Sequence, residues 1–159
     1  MEFNQSNAYF SFAQNKLICR LIDERFPDYE NVIPLENPNV LTISRTELLN
    51  SLKRISIYAN KTTHQVRLKM AGSELQISAE DLDFSNEANE RLVSEYVGED
   101  LEIGFNAKFL MEMLSNLDHE SITLNMSLPN KAGVILPTNN QKSEDILMLV
   151  MPVMLNSYA

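Results

Sequence analysis

The chain is poor in the residues that carry special chemistry. Its single cysteine, Cys19, has no partner for an intramolecular disulfide, and two histidines, His64 and His119, far apart in sequence, do not suggest a metal cluster. A disulfide scaffold, a metal site and a cofactor site are therefore not expected. No Gly-rich phosphate loop, cysteine pair or nucleophile motif is present, and Asp81 and Asp83 read as an acidic loop facing solvent rather than as acid/base groups or Mg²⁺ ligands. No catalytic residue is assigned and no enzyme is expected. Met1–Phe12 lacks the basic and apolar regions of a signal peptide, and no run approaches the ~20 apolar residues that span a bilayer. The expectation is a soluble, cytoplasmic protein without membrane contact. With only four Gly and six Pro among 159 residues, 44% hydrophobic and 22% charged, the composition is that of a globular chain large enough for one domain and a piece of a second.

The net charge of −9 argues against a strongly basic nucleic-acid binder, but the charge is sorted. From Arg45 to Lys69 the chain has six basic residues and one acid, Glu47; from Glu80 to Glu102 it has nine acids and one base, Arg91. Two readings stay open: ordinary solvated faces, or one basic and one acidic surface on a protein that holds DNA loosely on one side and repels it on the other.

A repeat organises the rest. Leu41–Ile43 reads as a strand, and Ser44 with Glu47 as a capping box opening a helix. Leu48, Leu52, Ile55 and Ala59 give that helix its apolar face, and it is expected to end near Asn60. Val66–Met70 and Leu75–Ile77 alternate around a Gly72-Ser73 turn, and an extended stretch over about 88–97 completes the unit. The order recurs roughly sixty residues later. Leu101 and Ile103 make a strand, Asn106 an N-cap, and Phe109, Leu110, Met113, Leu114 and Leu117 a helical face. Strands follow at 122–126, at 134–136 beyond a Pro129-Asn130 turn, and at 146–153. The expected fold is α+β, with two β-α-β-β-β units whose two helices, near 45–60 and 106–117, lie side by side on antiparallel sheets. Residues 1–36 fall outside the repeat: 8–13 and 16–22 read as a hairpin turning at Gln14 and Asn15, and Pro34 and Pro38 punctuate a linker. They are assigned to the end of a preceding domain, and 37–159 to a domain of its own.

Three separated segments, Leu21–Tyr29 with Val32–Pro34, Glu102–Asn106 opening a helix, and Val150–Leu155, closely resemble the bacterial sliding clamp, the beta subunit of DNA polymerase III. The resemblance covers nearly the whole chain but only the last part of the family's length: the end of the middle domain, the linker and the third domain. It implies a DNA clamp fold and a non-catalytic processivity role in DNA replication. In the family, a homodimeric head-to-tail ring of three-domain protomers encircles duplex DNA, and the DNA polymerase III alpha subunit, the clamp loader and other proteins bind through a peptide motif with aliphatic and aromatic anchors.

The positions matching the family's peptide pocket are Pro27, Val32, Asn106, Phe109, Gly133, Leu149, Val150, Met151, Pro152, Val153, Met154 and Leu155, of which Leu149 and Val150 read equally as core strand residues. Pro152 stands apart, since proline is poor inside a central strand. Arg45, Lys53, Arg54 and Lys61 would face DNA, through phosphates and without sequence selectivity. Ile57 and Tyr58 match the ring contact, although Ile57 could instead pack inside the domain. Met154 stands where the family has a basic residue, Asn31 likewise, and Asn156–Ala159 extends past the terminal leucine. The first domain and most of the middle one have no counterpart here, so a monomer or a weak non-native oligomer, and only weak DNA binding, Kd on the order of 10⁻⁴ M or worse, are expected. The competing reading is a stand-alone protein-interaction domain with no DNA role.

Overall fold

A computed structural model describes residues 1–139 and 144–155. The chain divides into two compact units, Met1–Glu30 and Asn31–Ala159.

The first unit is a three-stranded antiparallel sheet of β1 (Glu2–Phe3), β2 (Asn7–Phe12) and β3 (Asn15–Arg20), in that order. Phe12 pairs with Asn15, so the hairpin turns at Ala13 and Gln14, one residue earlier than the sequence suggested. Ala13 takes φ 51°, supplying the left-handed residue that a two-residue turn needs. The added strand β1 depends on Asn4, whose Oδ1 accepts from the backbone of Ser6 and Asn7 at 2.9 and 2.8 Å and folds the chain back.

The second unit begins with β4 (Asn39–Ser44) and α1 (Arg45–Ile55). Ser44 Oγ accepts from the Glu47 N–H at 3.4 Å, satisfying one of the free donors of the first turn. Leu48, Leu52 and Ile55 are buried on one side, as their spacing requires. The α-helix stops earlier than expected, tightening into a 3-10 turn at Ser56–Tyr58, while Ala59 is already extended. Ser56 Oγ and Lys61 Nζ take the carbonyls of Lys53 and Ile57, and Asn60 Oδ1 accepts from Thr62 and Thr63, which turns the chain away. Next come β5 (Gln65–Ala71), β6 (Glu74–Asp81), β7 (Asn86–Val93), β8 (Glu95–Val97), β9 (Leu101–Asn106) and α2 (Ala107–Ser115). Asn106 caps α2 by accepting from Lys108 N–H at 2.9 Å. Then β10 (Ser121–Met126), β11 (Gly133–Pro137) and β12 (Met148–Val150) complete the chain. No helix among the described residues is long and apolar enough to cross a membrane.

The two halves exchange their first strands. One sheet runs β12-β11-β10-β4-β8 and the other β7-β6-β5-β9, so β4 joins the second half's strands and β9 the first's. Leu41 lies opposite Leu124 and Ile103 opposite Leu68, and all four belong to one core closed by Leu52 of α1 and Leu110 and Leu114 of α2. The helices pack against each other.

Each half also ends by returning to its own first strand. The stretch expected to be continuous over 88–97 breaks at buried Ser94: β7 lies at the edge of one sheet, and β8 crosses to pair with β4 in the other. The final strand expected over 146–153 breaks likewise. After β12, Pro152 interrupts the ladder and Val153 bridges Gly104 of β9.

Asn39, buried at the start of β4, binds two distant turns together. Its Oδ1 accepts from Glu99 N–H at 3.0 Å and its Nδ2 donates to Ser127 carbonyl at 2.8 Å. The β8–β9 turn that reaches it contains Gly98 at φ +141°, where a Cβ would lie 2.8 Å from Asn39 Cα. Beside it Tyr96 Oη donates to Glu99 carbonyl, and burial, with Asp100 and Glu99 nearby, raises the phenol's pKa. Replacing Gly98 with alanine is both strained and obstructed, so Gly98→Ala is expected to cost about 1–3 kcal/mol. Urea unfolding checks this, a midpoint equal to wild type being the contrary result.

Candidate functional site

The surface at α2 and the C-terminal tail combines one strong cap with several uncovered apolar side chains. Asn106, besides capping α2, donates from Nδ2 to Thr63 carbonyl at 3.1 Å, which fixes the helix start to the loop after α1. One turn in, Phe109 is 56% exposed on α2, which touches β12. Met151 and Met154 are exposed, while Pro152, Val153 and Leu155 are half-buried. Methionines with uncovered side chains suit apolar ligands of varied shape.

Not every expected pocket residue is open. Val150 is 2% exposed and part of the core, and Gly133, its strand neighbour, faces Leu124, Phe105 and Val150 with distances from a would-be Cβ of 3.2–3.5 Å. Both support the surface from beneath. Leu149 is half-buried. Val32 lies exposed at the end of a 3-10 turn over Tyr29–Val32. Pro27, in the first unit, is exposed; its carbonyl accepts from Tyr29 N–H, and Phe26 and Tyr29 meet edge to face at 6.1 Å. The Asn156–Ala159 extension lies outside the described residues.

The four expected DNA-facing cations differ in what else they do. Arg45 donates from Nε to His119 carbonyl at 2.8 Å and from Nη1 to Leu114 carbonyl at 3.2 Å, closing the end of α2. Lys61 caps the turn after α1 at Ile57 carbonyl. Arg54 is ion-paired to Glu90 of β7, which also accepts from Ser51 Oγ at 2.8 Å. Lys53 is exposed on α1.

The separate basic and acidic surfaces suggested by the sequence do not form, because antiparallel pairing interleaves the runs. Arg67 of β5 sits between Glu102 of β9 at 2.5 Å and Glu80 of β6 at 3.7 Å, and Arg91 meets Glu74 at 3.6 Å. Their strands floor a concavity of about 590 Å³ on the polar face of the β7-β6-β5-β9 sheet. A smaller cleft of about 410 Å³ between α1 and β7 contains the Arg54–Glu90 pair.

Beyond α1, Ile57 is 65% exposed, which excludes its packing inside, and Tyr58 is also exposed. The β6–β7 turn, which touches the 3-10 turn through its strands, adds exposed Leu82 and Phe84 to this end of the domain. The sequence reading missed these two, although apolar residues inside an acidic loop were the available signal. It also placed Asp81 in solvent, whereas Asp81 is 3% exposed: its Oδ1 accepts from Asp83 N–H at 3.2 Å and from Asn60 Nδ2 at 3.5 Å, tying the turn to the end of α1. No group of three or more His, Cys, Asp or Glu among the described residues could hold a metal ion.

Arg54 holds the Glu90 carboxyl below the usual glutamate range by its hydrogen bond; burial opposes this, and Ser51 and the Arg54 charge assist. A carboxylate with a lowered folded pKa stabilises the fold above its unfolded pKa and loses that contribution as pH falls through the folded value. Arg54 is mostly exposed and Glu90 partly so, and solvent screening holds the pair's contribution to about 1 kcal/mol or less. Glu90→Gln is therefore expected to lower stability slightly at about pH 7 and to match wild type at about pH 3. Urea unfolding at both values tests it, and a deficit that persists in acid would contradict the assignment.

Residues 30–153 match the family formed by the C-terminal domain of the DNA polymerase III beta subunit. The beta sliding clamp of Vibrio cholerae serotype O1 is 30% identical over 155 residues, covering 98% of this chain and 41% of that protein. The beta sliding clamp of Pseudomonas putida is 32% identical over 129 residues, covering 81% and 35%. Among solved structures, the Pseudomonas aeruginosa sliding clamp bound to griselimycin has a TM-score of 0.88 at 28% identity, covering 95% of this chain and 40% of that one. The DNA polymerase III beta subunit of Thermotoga maritima has a TM-score of 0.86 at 28% identity, covering 96% and 41%. The chain thus spans well under half the length of the relatives it matches. Likeness in sequence and in fold, running through both halves of the exchanged-strand domain, places this chain in the beta sliding clamp family, as the bearer of its C-terminal domain.

Proposed function

We propose that the chain serves DNA replication as the third-domain part of a sliding clamp, a non-catalytic ring that encircles duplex DNA and keeps a replicative polymerase and other motif-bearing proteins on it. The family match over residues 30–153 carries this reading. Three surfaces divide the work. Phe109, Met151, Pro152, Val153, Met154 and Leu155 receive an extended peptide with aliphatic and aromatic anchors, with Asn106 fixing the helix that presents Phe109. Val32 contributes from the segment before β4. The start and outer face of α1 turn Lys53, and more weakly Arg45, Arg54 and Lys61, toward DNA phosphates. Ile57 and Tyr58, joined by Leu82 and Phe84, form the apolar centre of the contact that closes the homodimeric ring. The alpha subunit of DNA polymerase III and the clamp loader are the partners this reading assigns to the peptide surface.

Deleting Met154–Ala159 tests the peptide surface. The deletion leaves β12 and the Val153 bridge in place, so the melting temperature is expected to change little. Affinity for a labelled peptide with leucine and phenylalanine anchors should fall at least about tenfold, the equivalent of ~1.4 kcal/mol. Fluorescence anisotropy beside a melting curve separates the outcomes: equal affinity removes the tail from the site, and a collapse in stability makes it core.

The ion pairing on α1 gives the DNA contact its own test. Lys53→Glu should abolish weak duplex binding at low salt, while Glu90→Gln, which releases Arg54, should strengthen it and steepen the log–log salt dependence by about one unit. A stand-alone interaction domain without a DNA role would show neither effect in a salt titration.

A further inference from the structure

Glycine is a costly residue for a strand, since it adds no packing and loses the most backbone freedom on folding. Gly98 and Gly72 have positive φ and so a conformational reason to be glycine. Gly104, in the middle of β9, is not among the positive-φ glycines and is paired with Arg67 in a regular ladder. Its reason is space. Leu101, Ile103 and Phe105 of β9 point into the core, so position 104 faces the opposite side of the sheet, where neighbouring Glu102 is partly exposed. Gly104 is nonetheless buried, because the tail lies across it.

The contact is close. Val153 N–H donates to Gly104 carbonyl at 2.8 Å. A Cβ at position 104 would stand 2.5 Å from Val153 carbonyl oxygen and 2.8 Å from Leu155 Cδ2. The first is a backbone atom that can yield only if the tail moves. The other half of the domain provides an internal comparison. Thr42, two residues before the cap of α1 as Gly104 is before the cap of α2, carries a full side chain and still pairs with Glu95 of the returning β8. A side chain at this place is compatible with a returning strand; it is not compatible with a tail that folds Leu155 over the sheet.

We infer that Gly104 is a positioning residue: its missing side chain is the seat in which Val153 and Leu155 lock the C-terminal tail, holding Met151–Leu155 as a wall of the peptide site. The first part stands on the packing alone, and the second rests on the peptide-site reading proposed above. The seat predicts that the tail detaches, while the domain stays folded, when position 104 acquires a methyl group.

The test is Gly104→Ala in the full chain. Hydrogen exchange at the Val153 amide should be at least about tenfold faster than in wild type, with Leu68 and Leu124 amides unchanged, as expected for a local opening. The labelled peptide should bind at least about fivefold more weakly. Because the substitution could also weaken β9 itself, the same change is made in a chain ending at Pro152, which lacks the obstructing atoms. There it should lower the melting temperature less than in the full chain. Unchanged Val153 exchange, or an equal loss of melting temperature in both backgrounds, overturns the seat. Faster exchange with unaltered peptide affinity overturns its part in the site. A wild-type chain that binds no peptide defeats the peptide-site reading instead, while the exchange and melting data still decide the seat.

Discussion

The antiparallel pairings of β4 with β10 and of β9 with β5 are the constraint from which the rest of the domain follows. Each half contributes three strands to its own sheet; the first lends β4 and β8 to the other sheet and the second lends β9, so neither half can complete its core alone. The helices begin immediately after the exchanged strands, at the caps Ser44 and Asn106. Exchange therefore also fixes where the helices start, and brings α1 and α2 into contact over a common core. Since the β4–β10 pairing joins residues some 80 positions apart, such as Leu41 and Leu124, loop closure must precede much of the stabilising burial.

The same geometry explains what could and could not be read from sequence. Caps, helical faces and two-residue turns are local, and Ser44, Asn106, the Leu48-Leu52-Ile55 face and Gly72-Ser73 were legible because their partners lie within a few residues. Strand breaks at Ser94 and Pro152 were not, because the choice between continuing one ladder and crossing to another is made by the distant strand that receives the chain. Charge sorting failed for a related reason. A run of six cations looks like a basic face until β5 is laid between β6 and β9, and the acids that neutralise Arg67 come from outside its own run. The expected pocket positions came by resemblance, and burial separates Val150 and Gly133, which lie beneath the surface, from Phe109 and Met154, which are exposed on it.

The halves differ most where they end. In the first, β8 returns as a three-residue strand, and Asn39 and Gly98 bind the following turn, so that edge is closed by regular pairing. In the second, a single bridge at Val153 and one leucine over a glycine do the corresponding work. Fewer backbone bonds leave exposed apolar side chains next to a weakly held segment, and local openings concentrate in such places. The repeat thus supplies two similar scaffolds, of which one is finished as structure and the other is left with an open apolar surface, the one proposed above to receive a partner.

A chain of net charge −9 is an unusual component for a protein proposed to surround DNA, and the ion pairs reconcile the two. Arg54 and Arg67 spend their charge on Glu90, Glu80 and Glu102, leaving Lys53 as the main outward cation of α1. Phosphate affinity grows with the number of cations that displace counterions, so in the proposed role a face with one such lysine and several partly engaged arginines would bind duplex weakly and without sequence preference. Weak contact suits the role proposed above: a closed ring would be retained by topology, while each additional strong phosphate contact would resist sliding. In the proposed role, pairing Arg54 and Arg67 would therefore serve stability and mobility together, since the pairs that tie β5 to β6 and β9, and α1 to β7, would also keep the domain from gripping DNA.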